Sequence, residues 1–339
     1  MDWNFRGSIR FIIPGLFGIF LNSFALGQIK PQFTQYIYNG LLLNPAITGI
    51  EDYTDLRFGF RDQWTGIQDA PKTFFFTVQT PLGNKNTHQT PTSFSQSLEG
   101  ITNEENLEYL SPHHGIGFIA IGDKYGPFTQ LNVDISYAYH IPLSNRTSLA
   151  LGFSGGIYEV GLNTQSLVLP SGILADPSVK SNNRIFPDLN LGLFLYNRRY
   201  FLGASISNII DNNFGSDLII NSGSTTKNYF FTAGYKLYLS RTFSLLPSIL
   251  FKYYRPEPAS LDINLKASYL DRIWLGASVR QNDSFSILAG INISPLYNIG
   301  YSYDYTTSPL SSYVGGTHEI FIGFLINNIN HHLCPRNVW

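Results

Sequence analysis

Residues 31–82 read PQFTQYIYNGLLLNPAITGIEDYTDLRFGFRDQWTGIQDAPKTFFFTVQTPL. The front of this stretch, Pro31 to Gly49, is aromatic and amide-rich, with neither periodicity nor charge. Asn44-Pro45 punctuates it, and a residue before proline is biased away from helix. The back is a strand, a loop and a second strand. Leu56, Phe58 and Phe60 alternate with Arg57, Gly59 and Arg61; the pattern breaks from Gln63 to Pro71, and Phe74, Phe76 and Val78 resume it. A period of two assigns one set to each face of a sheet.

The same unit recurs down the chain. Leu131, Val133, Ile135, Tyr137 and Tyr139 alternate with Asn132, Asp134, Ser136, Ala138 and His140. Leu261, Ile263, Leu265 and Ala267 alternate with Asp262, Asn264, Lys266 and Ser268, and Tyr297, Ile299, Tyr301, Tyr303 and Tyr305 with Asn298, Gly300, Ser302 and Asp304. We count about fourteen such strands, an even number of roughly 9–12 residues each, long enough to cross a bilayer at a tilt. One face is apolar with Tyr and Phe towards the ends; the other carries Gly, Ser, Asn, Asp and Lys. A water-soluble sandwich has shorter strands, averaging about 5–6 residues. The fold expected is an all-β, antiparallel transmembrane barrel of outer-membrane type over residues 53–327. Tight connections (SNRT, NRR, SRT, LDR, SPL) follow every second strand, with longer ones between them, as periplasmic turns and extracellular loops do. By that parity the loop 63–71 faces outward. The polar insertion 83–114 falls on the periplasmic side, where a short turn is expected.

Composition agrees. The 339 residues are 43% hydrophobic but only 13% charged, against about 25% charged for soluble domains. Aromatics reach 15%, which suits strands and membrane interfaces. A net charge of -1 gives no electrostatic case for nucleic acid. With Cys334 the only cysteine, there is neither an internal disulfide nor a thiolate metal cluster. Arg6 and Arg10, the apolar run Phe11 to Leu21 and Ala25-Leu26-Gly27 read as a signal peptide over residues 1–27. The other reading, a short anchor, needs about 20 apolar residues. Beyond residue 30 no apolar run of helix-spanning length appears, so a membrane location requires a barrel.

Three segments resemble the PorP/SprF family of type IX secretion outer-membrane proteins. They are PQFTQYIYN with LLLNPAITG, then RDQWTGIQDAPKTFFFTVQTPL, then DYTTSPLSSYVGGTHEIFIGF followed by CPR. The resemblance implies partners among the other secretion components. It also implies secretion, or retention at the surface, of cargo with a C-terminal sorting domain, as in gliding bacteria. The insertion 83–114 departs from the family pattern.

No chemistry stands out. His113-His114 and His331-His332 are adjacent pairs, which do not aim both rings at one metal. Asp52, Asp55, Asp62 and Asp69 scatter over loop and strand faces, and no nucleophile-elbow motif is visible. We therefore expect no enzyme, no metal and no cofactor. Arg57 and Arg61 share the inward face, where pairing with Asp134 or Asp262 is the plain reading and substrate binding the other.

Two sites are expected. Residues 28–52 are expected to form a periplasmic segment too apolar to stay exposed; it should plug the lumen or its periplasmic mouth with Phe33, Tyr36, Tyr38, Leu42, Asn44 and Pro45. The loops of the first and last hairpins are neighbours in a closed barrel. They offer Trp64, Gly66, Ile67, Pro71, Lys72, Tyr313, Gly315 and Gly316 as a partner surface. Trp64 reads equally as an interface anchor or a partner hot spot. Residues 328–339 are a short tail. The competing function is a general diffusion porin, which needs none of the non-strand motifs.

Overall fold

The computed structural model describes residues 34–83, 112–144, 147–162, 183–210, 227–240, 242–254 and 258–328. The expected signal peptide, Phe33, most of the insertion, His331-His332 and the CPR tail lie outside the described residues.

The strands are β1 (Thr54–Asp62), β2 (Lys72–Leu82), β3 (His113–Tyr125), β4 (Phe128–Pro142), β5 (Thr147–Leu162), β6 (Asn183–Asn197) and β7 (Tyr200–Ser207). Then follow β8 (Asn228–Tyr235, continued by Leu237–Tyr238), β9 (Phe243–Tyr254), β10 (Ser260–Tyr269), β11 (Ile273–Arg280), β12 (Ser284–Ser294), β13 (Tyr297–Thr306) and β14 (Thr317–Ile326). The two pieces of β8 count as one strand, because both pair with β9 on either side of Lys236. Each strand pairs antiparallel with its sequence neighbours, and β1 pairs with β14 from Thr54 opposite Ile326 to Asp62 opposite His318. The sheet is thus a closed barrel of 14 strands, and closure leaves no edge for backbone groups to go unpaired in lipid. Strand lengths run from 8 to 16 residues, a wider spread than the alternation suggests. Among the described residues, no helix is long and apolar enough to cross a membrane.

Polarity is inverted relative to a soluble core. Phe74, Ile135, Leu202, Ile263, Leu275 and Ile293 are all more than half exposed on the outer wall. Arg57, Arg61, Asp134, Lys252, Asp262 and Glu319 are buried inside. Inward aromatics lie across glycines of the adjacent strand: Phe75 over Gly59, Trp274 over Gly290, Phe321 over Gly300. A Cβ at any of these glycines would run into the ring, so glycine is what lets the ring lie flat on the wall.

The short connections 143–146, 198–199, 239–242, 270–272 and 295–296 share one end of the barrel, and 63–71, 163–182, 208–227 and 307–316 share the other. We therefore read the first end as periplasmic. Two outer connections, 126–127 and 281–283, are also short, and 83–112 on the periplasmic end is long. The insertion closes earlier than its expected boundary, since His113 and His114 already belong to β3. Alternation does not reveal the start of β3: HHGIGFIAIG puts isoleucine and glycine on both faces, with Gly115 and Gly117 on the inner one.

Candidate functional site

The stretch around Asn44-Pro45 lies inside the barrel. Thr34 sits at the loop end, its backbone N–H donating to Glu319 Oε2 (3.0 Å) and its hydroxyl to Asp304 Oδ2 (2.6 Å). Arg61 Nη1 ties these together at 2.7 Å from Glu319 and 3.0 Å from Asp304. All three strand residues stand within three positions of the loop end of their strands. The chain then descends. Asn264 donates to the Tyr36 hydroxyl (2.8 Å), and Asn39 donates to Thr77 Oγ1 (2.9 Å). Tyr38 stacks on Trp274 (4.0 Å between centroids) and Phe321 (5.0 Å), with Lys266 Nζ 4.2 Å from its ring centre.

Asn44 then turns the chain. Its backbone is extended (φ −143, ψ 111), as the following proline requires. Its Oδ1 accepts from Ala46 N–H (2.9 Å), and its Nδ2 donates to the Leu193 carbonyl of β6 (3.0 Å). The Leu43 carbonyl accepts from Ser205 (2.6 Å). Pro45–Ile47 is one turn of 3-10 helix against β4, β5 and β6. The wall is carved to admit it. A Cβ on Gly152 would strike Ala46 and the Pro45 carbonyl carbon, one on Gly192 the Asn44 Oδ1, one on Gly115 the Thr48 carbonyl. Gly49 takes a left-handed backbone (φ 70) and packs on Gly115. His140 closes the lower end with Nε2 2.9 Å from the Thr48 carbonyl.

Two expectations are corrected here. Of the two places expected for the segment, its described part takes the lumen and not the periplasmic mouth: from Thr34 it runs from the loop end to the turn end. Tyr36, Tyr38, Asn44 and Pro45 are buried within it, while Leu42 is half-buried. The inward arginines do not pair with Asp134 or Asp262. Arg57 binds its own strand's Asp55 (2.6 Å) and Arg61 the carboxylates of β13 and β14. Asp262 instead holds Lys252 (3.0 Å) and Arg280 (3.3 Å). Closure brings β14 beside β1, a neighbour that reading along the chain does not supply. The histidine pair diverges: His113 stacks on inward His140 (4.3 Å between centroids), and His114 stands outside, 2.6 Å from the Tyr137 hydroxyl.

At the loop end the first and last hairpins join. Thr65 N–H donates to the Gly316 carbonyl (2.9 Å) and Gly315 N–H to the Thr65 carbonyl (2.6 Å). Trp64 N–H reaches Thr317 Oγ1 (3.2 Å), and the Tyr303 hydroxyl donates to the Gly315 carbonyl (2.9 Å). Gly66 and Gly316 need left-handed backbones (φ 98 and 94), and Trp64 adopts one at φ 53 despite its bulk, a conformation that costs of order 1 kcal/mol. Tyr313 is 79% exposed and Ile67 38%, whereas Trp64 and Pro71 are half-buried. Lys72, expected on this surface, starts β2 at the loop end with its side chain on the outer wall, 3.8 Å from Asp62.

A family model described as "Type IX secretion system membrane protein PorP/SprF" matches residues 25–324. The chain belongs to the PorP/SprF family. The match spans the internal segment, both hairpins and nearly all of the barrel of this PorP/SprF protein, and it makes the chain an outer-membrane protein of the type IX secretion system. No curated protein matches it in sequence. Among solved structures, the outer membrane protein Omp33 of Acinetobacter baumannii is similar at 8% identity and a TM-score of 0.47, covering 82% of this chain and 100% of that one. The CymD monoaromatic hydrocarbon channel is similar at 12% identity and 0.45, covering 91% and 96%. A mutant Rh. blastica porin is similar at 8% and 0.33, covering 81% and 99%.

Proposed function

We propose that this PorP/SprF barrel is a non-enzymatic accessory component that holds secreted cargo at the outer membrane rather than a pore. Cargo with a C-terminal sorting domain would need it for secretion or for attachment to the cell surface. The observation that supports this reading lies in the lumen. A segment from Thr34 to Gly49 runs through it, bonded to β2, β4, β6, β7, β10, β13 and β14. Such a barrel offers surfaces to partners rather than a path to solutes.

The joined loops supply the docking surface in this reading. Trp64, Ile67, Pro71 and Tyr313 are apolar anchors, and Gly66, Gly315 and Gly316 admit close backbone approach. Family membership supports other secretion components as partners, and cargo is the partner tested. Replacing Trp64 and Tyr313 with Ala should leave heat-modifiable gel mobility unchanged while cargo moves from the cell surface into the medium. Cargo displayed as on the parent strain would overturn the docking assignment. A diffusion porin is the competing reading, and large single-channel conductance from the intact protein would favour it.

A further inference from the structure

We propose that the outer wall carries a seat for one phosphorylated glycolipid of the outer leaflet, with its phosphate between Lys72 and Lys124. The proposal is independent of the secretion reading. Of the lysines and arginines in the described strands, Arg57, Arg61, Lys252, Lys266 and Arg280 are buried inside, and Arg184 shares their inward register. Lys236, within β8, lies at the turn end; at the loop end, among the described strands, only Lys72 and Lys124 face outward, and they stand directly opposite each other on β2 and β3. Both lie at the loop end, where the outer leaflet's sugar-phosphate headgroups lie.

Like charges directly opposite across a sheet repel. The one carboxylate in that row, Asp62, is opposite Lys72 at 3.8 Å on the side away from Lys124. The Lys124 ammonium has no acid within salt-bridge reach among the described residues. An anion between the two ammonium groups would remove the repulsion and complete the row.

The wall beneath identifies the body of the ligand. Going down β3, Gly122 and Ala120 stand between Phe74 and Phe76 of β2 and Leu131 and Val133 of β4. Space is open where a Cβ on Gly122 would project, while Phe74 is 61% and Leu131 42% exposed beside it. The small residues form a shallow apolar channel leading from the lysines towards the bilayer centre. An anionic head with an acyl chain below it matches both parts; free phosphate or an acidic protein matches only the first.

The test is native mass spectrometry of the full, detergent-solubilised barrel with purified lipid A, dephosphorylated lipid A and inorganic phosphate as separate probes. Lipid A should be retained and its dephosphorylated form should not. A lysine near an anionic lipid surface contributes about fivefold in affinity. Lys72→Gln with Lys124→Gln should therefore weaken retention about thirtyfold, and Lys124→Gln alone about fivefold. Gly122→Leu should weaken it with no change of charge. Both positions are remote from the lumen, so heat-modifiable mobility should stay normal; if the double variant does not fold, the Lys124→Gln result decides. Equal retention by the lysine variants would overturn the proposal. So would phosphate competing for the site with no effect of Gly122→Leu, which would leave a free-anion site.

Discussion

Arg61 shows what one side chain contributes in this lumen. It is 2% exposed and links β1 to β13 and β14 and to Thr34 of the internal segment. Truncating one partner of a buried ionic cluster leaves the other charges uncompensated, at about 3–5 kcal/mol. Arg61→Met should therefore lower the temperature at which the folded gel form is lost and loosen Thr34, while Arg61→Lys should retain part of the stability. Gly192 makes the opposite kind of test. Its missing side chain is the space that Asn44 Oδ1 occupies, so Gly192→Val forces the turn at Asn44-Pro45 to move. Overpacking of this sort costs about 1–3 kcal/mol. The expected result is protease cleavage between Tyr38 and Thr48 in the variant but not in the parent; an equally protected segment would show that the wall can yield.

At the scale of the strand, each side of the wall answers to a different solvent. On β10, Leu265 is 48% exposed on the outer wall and its neighbour Asn264 is 3% exposed, donating to Tyr36. Leu265→Arg places a charge against lipid and should cost about 2–4 kcal/mol near the bilayer centre, read as a fall in the urea concentration needed to unfold the barrel in lipid vesicles. Asn264→Ala should cost about 1 kcal/mol or less through the lost hydrogen bond. A reversed order of the two effects would mean that the faces are assigned the wrong way round. The strand faces were legible from period-two alternation because the two solvents differ so sharply. β3 was not, because its inner face is written by the internal segment: glycine at Gly115 and Gly117 where Thr48 and Gly49 pass, isoleucine at Ile119 and Ile121 above.

At the scale of the whole molecule, the role proposed for the internal segment is to block conduction. The intact protein should show little conductance in planar bilayers. Deleting residues 28–49 should raise it sharply, with heat-modifiable mobility kept because strand pairing closes the ring without the segment. A deletion variant as closed as the parent would assign the block to the loops instead. Alternation and composition, which respond to the local solvent, were enough to read the barrel, its roughly fourteen strands, the faces of most of them and the apolar character of residues 31–49. The sequence also carried the family motifs. It took the folded ring to show that the segment runs through the lumen from the loop end and does not cap the periplasmic mouth, that Arg61 meets Asp304 and Glu319, and that Lys72 faces Lys124 on the outer wall. Those are contacts between residues far apart in the chain, fixed by ring closure and strand register, and no local pattern records them.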